Sequence, residues 1–271
     1  MTASSLPPSG LLLLAFLLGL LLGSFLNVCI YRMPKDESVA RPRSRCPHCG
    51  RPIRWYDNIP VASFLALGGR CRDCGAAISF VYPVVELATG LLFAAAAWRW
   101  GLTAAAAKAS VFVSMMLILA FADLADRLLP DQITLGGAAA GIVFSQVELL
   151  DPGAASLVLG LAGLAPGPRL ASLAESAFGA AAGAGLLHAV AEVYYRLRFR
   201  EGMGFGDVKM MAAIGAFLGL GAAFWTVMLA SILGALAGMA FILVFRKGLL
   251  YQLPFGTFLA LAAIVVALGG A

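Results

Sequence analysis

The stretch MMAAIGAFLGLGAAFWTVMLASILGALAGMAFILVF, residues 210–245, contains 36 residues and no charged side chain. As a single helix it would be about 54 Å long, whereas the hydrocarbon core of a bilayer is about 30 Å thick. The run therefore predicts two membrane-spanning helices that meet near Gly219-Leu220-Gly221. The whole chain of 271 residues is 61% hydrophobic and 12% charged. A soluble globular domain, with about 25% charged residues, is excluded.

Further uncharged runs predict an all-α polytopic membrane protein of about eight transmembrane helices. The predicted spans are 11–30, 80–98, 103–122, 132–149, 175–194, 207–221, 223–245 and 254–270. Residues 152–168 are also uncharged, but their apolar part is about ten residues long and is flanked by prolines. Since a spanning helix needs about 20 apolar residues, this segment is predicted to be an outside loop.

The positive charges predict the orientation of these helices. If the N-terminus lies outside, the cytoplasmic segments are 31–79, 123–131, 195–206 and 246–253. These segments and Lys209 beside them then carry 16 of the 19 Lys and Arg residues, as the positive-inside rule requires. The net charge of +5 is explained by orientation in the bilayer, and no nucleic-acid partner is predicted.

Two Cys-x-x-Cys-Gly motifs lie in the first predicted cytoplasmic segment. Their four cysteines, with soft thiolate ligands, predict one closed structural zinc site: Cys46, Cys49, Cys71 and Cys74. The alternative is disulfides or unpaired thiols, and a reducing cytoplasm disfavours disulfides. His48 is not expected to be a ligand. The predicted domains are a first helix (1–30), a zinc-binding loop (31–79) and a transmembrane domain (80–271).

Two aspartates stand at predicted cytoplasmic helix ends, where ionisable residues are candidates for function. Asp123 ends the third span and Asp207 begins the sixth, within GMGFGDVKM. Two carboxylates brought together form an acid–base pair, as in aspartic proteases. Gly204 and Gly206, with Gly202, would leave room for a substrate backbone. Helix caps and ion pairs remain the alternative.

Several blocks along the chain resemble a known protein family. GFGD is similar to the Gly-x-Gly-Asp signature of membrane aspartic proteases, and the chain as a whole resembles the prepilin peptidases (type IV leader peptidases). The matching blocks, in order along the chain, are GSFLNVCIYRMP (23–34), the cysteine motifs, WYDNIPVASFLALGGRC (55–71), YPVVELATG (82–90), DLADRLLPDQIT (123–134), GMGFGDVKM (202–210) and LPFGTFLAL (253–261).

This resemblance implies an aspartic endopeptidase with Asp123 and Asp207 as catalytic residues. The expected reaction is removal of the basic leader from type IV prepilins and pseudopilins, at the cytoplasmic face of a bacterial inner membrane. The resemblance also implies methylation of the new N-terminal amine with S-adenosylmethionine, for which Glu86 and Asn27 are the candidates. A buried polar contact between helices is the alternative for both residues.

Acidic residues near the aspartates suggest how a basic leader would be held. Asp126, Asp131 and Glu201 add negative charge there and are candidates for holding the leader, and Lys209 is a further candidate for the substrate approach. Solvated helix caps are the alternative for the acidic residues. Two other functions are alternatives for this chain. One is a presenilin-like or signal-peptide-peptidase-like protease that cuts within the bilayer. The other is a non-enzymatic zinc-knuckle scaffold of a pilus or secretion machine.

Overall fold

The computed structural model describes residues 8–199, 203–245 and 254–269. Apart from short bridges and 3-10 turns, the secondary structure of these residues is helical. The helices are α1 (Ser9–Arg32), α2 (Ala62–Ala66), α3 (Val81–Trp100), α4 (Ala104–Asp126), α5 (Asp131–Val147), α6 (Ala154–Leu161), α7 (Pro168–Arg198), α8 (Phe205–Phe245) and α9 (Phe255–Gly269). The predicted all-α membrane fold is therefore confirmed.

Five helices within the described residues have the length and apolar composition needed to cross a membrane: α1, α3, α4, α7 and α8. Helix α9 is apolar but has only 15 residues. Helix α8 has 41 residues and a non-helical backbone at Gly219, with φ 79° and ψ 176°. This is where the sequence predicts that two helices meet. The total of eight spans stays a prediction.

Residues 152–168, for which the sequence predicts an outside loop, contain the eight-residue helix α6. At 1.5 Å per residue, α6 is only about 12 Å long, which is too short to cross the bilayer. Helix α7 begins at Pro168, earlier than the predicted start at 175, because a proline is well accommodated in the first turn of a helix.

The chain divides into two compact units, Met1–Ile118 and Leu119–Ala271. In the first unit, α1 packs on α3 through small residues four apart. A Cβ at Gly19 would lie 2.7 Å from the Cα of Gly90, and one at Gly23 would lie 2.7 Å from the Cα of Glu86. Such spacing lets the two backbones approach closely within a membrane. The domain boundaries predicted from the sequence, after residues 30 and 79, separate regions by their expected function. These boundaries stay a prediction.

In the second unit, α8 packs on α5, α7 and α9. The break in α8 at Gly219 directly precedes Leu220. Glu175 of α7, which is only 3% exposed, accepts a hydrogen bond from that amide at 3.3 Å. Its other oxygen accepts one from the amide of Ala155 at 2.9 Å, in the first turn of α6. A buried carboxylate thus accepts hydrogen bonds from two backbone amides, one at the break in α8 and one in the first turn of α6.

Candidate active site

Asp123 lies in the last turn of α4 and is 6% exposed. Asp207 lies in the first turn of α8 and is 7% exposed. Its amide donates a hydrogen bond to the carbonyl of Gly204 at 3.1 Å. Both aspartates belong to the second unit. An aspartate that only caps a helix in solvent would have a far more exposed side chain than either of them. Burial of a carboxyl group is costly unless it is hydrogen-bonded or paired, so two buried carboxyl groups near a membrane span are candidates for a function.

The two carboxyl groups meet at Gly256, in the first turn of α9. A Cβ built on Gly256 would lie 3.0 Å from Oδ2 of Asp123 and 3.0 Å from Oδ1 of Asp207. Since both oxygens lie within 3.0 Å of one point, they are at most about 6 Å apart. The structure thus brings together two residues that are 84 positions apart in the sequence.

Thr257 binds one of these carboxylates. Its backbone amide donates to Oδ2 of Asp123 at 2.7 Å, and its hydroxyl lies 3.1 Å from the same oxygen. The hydroxyl is also 3.2 Å from the carbonyl oxygen of Ala120, one turn earlier in α4. The free amides at the N-terminus of a helix stabilise negative charge, so α9 presents its amide end to Asp123.

The two signature glycines differ in their surroundings. A Cβ at Gly206 would lie 3.1 Å from the side chain of Leu129, which would have to shift slightly to accommodate it. Among the described residues, the amide of Gly206 is the one group within 4 Å of a Cβ built at Gly204, at 3.9 Å. The described part of the chain therefore leaves room above Gly204 for another backbone. Gly202 and Glu201, like the segment 246–253, lie outside the described residues.

The acidic candidates for the substrate approach also differ. The Lys209 ammonium binds both carboxylate oxygens of Asp131, at 2.7 and 2.9 Å. The charge of Asp131 is thus compensated by Lys209. Asp126 is exposed at the end of α4.

The four cysteines of the first unit form one cluster. Their sulfur atoms all lie within 4.8 Å of one another, and the sulfurs of Cys46 and Cys74 are 3.8 Å apart. In a tetrahedral site with metal–sulfur bonds of about 2.3 Å, the sulfurs are about 3.8 Å apart. The donor set therefore fits a tetrahedral metal ion. His48 is exposed and is not part of the cluster.

The two Cys-x-x-Cys-Gly turns have the same backbone hydrogen bonds. Cys46 N donates to Arg51 O at 2.9 Å, and Cys71 N donates to Ala76 O at 2.8 Å. Each turn ends at a glycine with a φ near +70°, a conformation that other residues rarely adopt. Asp57 binds Arg72 of the second turn in a bidentate pair, with contacts of 2.7 and 3.0 Å.

The four cysteines influence one another's ionisation. A hydrogen bond from the Cys49 backbone lowers the pKa of Cys46 to about 6. The pKa of Cys74 is lowered by a backbone hydrogen bond from Ala76, but desolvation and its contacts with the other three cysteines raise it on balance to about 12. Four clustered sulfurs cannot all be thiolates without a compensating positive charge, which a bound metal ion supplies.

A cavity of about 430 Å³ lies beside this cluster within the first unit. Small-molecule sites typically have volumes of about 300–1,000 Å³. Both candidates for methyl transfer, Glu86 and Asn27, line it, as does Arg32. All three are more than nine-tenths buried. The structure thus places the two candidate residues in one cavity and adds a buried arginine, which the sequence reasoning missed.

Glu86 is held in place by the loop that covers it. Its Oε2 accepts a hydrogen bond of 2.7 Å from the amide of Val61. Val61 has a φ of +59°, which is unusual and strained for a β-branched residue. Asn27 donates to the carbonyl of Tyr82 at 3.1 Å, and Arg32 donates to the carbonyl of Ser38 at 2.9 Å. These contacts join α1, α3 and the loop around the cavity.

Sequence reasoning also missed Gly256, Thr257 and Glu175. Gly256 and Thr257 lie in LPFGTFLAL, one of the blocks that carry the family resemblance, so a signal was present without a role attached to it. Glu175 stands near the start of a predicted span, and an acidic residue there was itself a signal. Its two amide partners lie 20 and 45 residues away along the chain.

Comparison with known proteins agrees with this site. A model described as the bacterial peptidase A24 N-terminal domain matches residues 17–100. A model described as the type IV leader peptidase family matches residues 110–239. The second match includes both aspartates, and the first includes the cysteine cluster and the cavity. No solved structure matches the chain.

Several curated relatives carry the name prepilin leader peptidase/N-methyltransferase. The one from Myxococcus xanthus (strain DK1622) is 42% identical over 246 residues, which cover 90% of this chain and 68% of the relative. The one from Aeromonas hydrophila is 38% identical over 285 residues, covering 95% and 90%. The one from Pseudomonas aeruginosa is 33% identical over 286 residues, covering 97% and 92%. These matches extend over nearly the whole chain, which therefore belongs to the type IV leader peptidase family.

Proposed function

We propose that this protein removes the leader peptide of type IV prepilins and pseudopilins with the Asp123–Asp207 pair, and then methylates the new N-terminal amine. The observation that carries the proposal is the meeting of the two buried carboxyl groups at Gly256, each with an oxygen 3.0 Å from the same point. If the two aspartates were only helix caps, there would be no reason for their carboxyl groups to lie next to each other.

The pair supplies both the acid and the base for hydrolysis. Two carboxyl groups this close share one proton, because two adjacent negative charges repel each other. The ionised member takes a proton from water, and the protonated member donates one to the scissile carbonyl. Asp123 is the member better suited to be charged, because the Thr257 amide donates to its Oδ2 at 2.7 Å. Asp207 is then the acid.

The proposed location of the reaction follows from the charges and the helix ends. With the N-terminus outside, most Lys and Arg residues lie on the cytoplasmic side. Asp123 ends α4 and Asp207 begins α8, so both lie at that surface of the inner membrane. A prepilin joins a basic leader to an apolar helix, and the junction between the two lies at the same level. The exposed Asp126 would attract the leader.

Methyl transfer is proposed for the cavity of the first unit. S-adenosylmethionine supplies an activated methyl group on a sulfonium cation. The carboxylate of Glu86 is suited to accept a positively charged group, and Arg32 is suited to bind a carboxylate. Asn27 offers an amide for hydrogen bonding to a ligand. The buried position of all three side chains excludes water, which strengthens each of these interactions.

A zinc ion is proposed for the four-cysteine cluster. Thiolate ligands favour zinc among the abundant divalent cations, and four of them leave no open coordination position for a substrate. The role of the ion is therefore structural. It would hold the two cysteine turns together and thereby position the loop residues that line the cavity.

The protease assignment is tested with the purified full chain and a prepilin substrate. Asp123→Asn and Asp207→Asn are each expected to abolish cleavage, because each keeps the shape of the side chain but cannot exchange a proton. Asp151→Asn is the matched control, since Asp151 is exposed and outside the site. If both variants at the site still cut the substrate, the proposed mechanism is wrong.

A separate measurement tests methyl transfer. The mass of the mature N-terminus is determined after incubation with and without S-adenosylmethionine, and a gain of one methyl group is expected only in its presence. With a substrate that already lacks its leader, the Asp123→Asn and Asp207→Asn variants should still transfer the methyl group. Failure of both variants on that substrate would show that the two reactions depend on the same residues.

A further inference from the structure

Gly256 has an unusual environment for a buried glycine. The three heavy atoms nearest to a Cβ built on it all belong to the two aspartates: Oδ2 and Cγ of Asp123, at 3.0 and 3.1 Å, and Oδ1 of Asp207, at 3.0 Å. By contrast, a Cβ at Gly141 or Gly179 would meet the backbone of a neighbouring helix. Those glycines allow helices to approach, whereas the bare Cα of Gly256 allows two carboxyl groups to approach.

The neighbours of Gly256 have little freedom to make room for a side chain. Oδ2 of Asp123 is held by the Thr257 amide at 2.7 Å and lies 3.1 Å from the Thr257 hydroxyl. That hydroxyl is in turn 3.2 Å from the carbonyl of Ala120. Asp123 could move away from a new methyl group only by lengthening these hydrogen bonds. The other way to relieve the contact is to move Asp207, which increases the separation of the pair.

We infer that Gly256 is a positioning residue of the aspartate pair, and that the first turn of α9 is a third element of the active site beside the ends of α4 and α8. This inference rests on the proposed protease function. Gly256 acts through the two carboxyl groups, because any side chain at 256 would occupy the space in which they approach each other. Thr257 acts from the same turn by fixing the orientation of Asp123.

The test compares Gly256→Ala with Gly136→Ala in the purified full chain. Gly136 lies in α5, and a Cβ there would meet nothing within 4 Å. Gly256→Ala is expected to lower kcat for prepilin cleavage about 100-fold, the size of effect that a misplacement of about 1 Å produces. KM should stay within about twofold, since the substrate-binding surface is unchanged. Gly136→Ala should leave both values unchanged.

Methyl transfer to a substrate without its leader distinguishes positioning from loss of the fold. For Gly256→Ala, this activity should equal that of the wild type, since the proposed methyl-transfer cavity lies in the other unit. A wild-type kcat for cleavage would overturn the inference, as would a raised KM at unchanged kcat. If Gly256→Ala does not fold, Thr257→Val takes its place. The Thr257→Val variant keeps the backbone amide that binds Asp123 but loses the hydroxyl, and it should lower kcat about three- to tenfold. An unchanged kcat would overturn the inference.

A cross-linking measurement is independent of catalysis. In an Asp123→Cys/Asp207→Cys double variant, oxidation should link the two positions, and the linked peptides are identified by mass spectrometry. Adding Gly256→Ala should slow this reaction at least tenfold, whereas adding Gly136→Ala should not. Equal rates would refute the positioning role even if the protease assignment holds. If instead the Asp→Asn variants keep cleaving the substrate, the protease assignment fails while the cross-linking result stands.

Discussion

A close helix crossing in the second unit provides a test of how the fold positions Asp207. A Cβ at Gly179 of α7 would lie 2.5 Å from the carbonyl oxygen of Gly215 in α8, and 2.9 Å from the amide nitrogen of Leu220. Ordinary contact begins at 3.4 Å, so Gly179→Ala would force the carbonyl oxygen of Gly215 to retreat by about 0.9 Å, the difference between the two distances. Asp207 lies on the same helix, eight residues before Gly215, which is about 12 Å along the axis of α8.

Two effects are expected from Gly179→Ala. Overpacking costs about 1–3 kcal/mol, while alanine in place of glycine adds about 1 kcal/mol of helix propensity. The net loss of stability is therefore at most about 2 kcal/mol, and the protein should still fold. A displacement of α8 of nearly 1 Å should lower the rate of prepilin cleavage about tenfold to a hundredfold.

The matched control is Gly185→Ala, six residues further along α7, where a Cβ would meet nothing within 4 Å. It gains the same helix propensity and should raise the unfolding temperature slightly without changing the rate of cleavage. Both variants are measured by thermal unfolding and by cleavage of a prepilin under identical detergent conditions. A wild-type rate for Gly179→Ala would refute the idea that this crossing positions Asp207.

Three other predictions concern the loop, the cavity and the substrate. Cys46→Ser should remove most of the bound zinc, measured as metal content per chain, whereas His48→Ala should retain it; equal zinc in both would contradict the four-cysteine site. Glu86→Gln should lower methyl transfer at least tenfold and leave cleavage within about twofold, as measured by the mass of the product; equal losses of both activities would argue against a separate cavity. Asp126→Asn should raise KM for a basic leader up to about fivefold, the range of an exposed ion pair, while Asp131→Asn should have a smaller effect because Lys209 already neutralises it; the reverse order would contradict this assignment.

The predictions that depended on local pattern were the most successful. The all-helical membrane fold followed from the uncharged runs, and the non-helical backbone at Gly219 lies where the 36-residue run was expected to break. The cysteine spacing predicted a cluster whose sulfurs lie within 4.8 Å of one another. In each case the signal lies in short stretches of the sequence, as hydrophobic length or as the geometry of a tight turn.

Contacts between distant segments were harder to predict from the sequence. Nothing local to Gly256 shows that its Cα faces two carboxyl groups, because those groups are 133 and 49 residues away in the sequence. Helix α6 was missed because eight residues with flanking prolines have no strong helical signal. Its first turn is held by Glu175, which lies on another helix.

The sequence by itself determined the membrane environment, the two cysteine pairs of the cluster and the two aspartates that we propose as the reactive pair, because charge, hydrophobic length and short motifs act within a few residues. Only the tertiary structure decided that the aspartates meet at Gly256, that Thr257 binds Asp123, and that Glu86, Asn27 and Arg32 line one cavity. The physical reason is that a carboxylate acquires its chemistry from the groups within about 3–6 Å of it. In this chain those groups come from helices that only packing brings together.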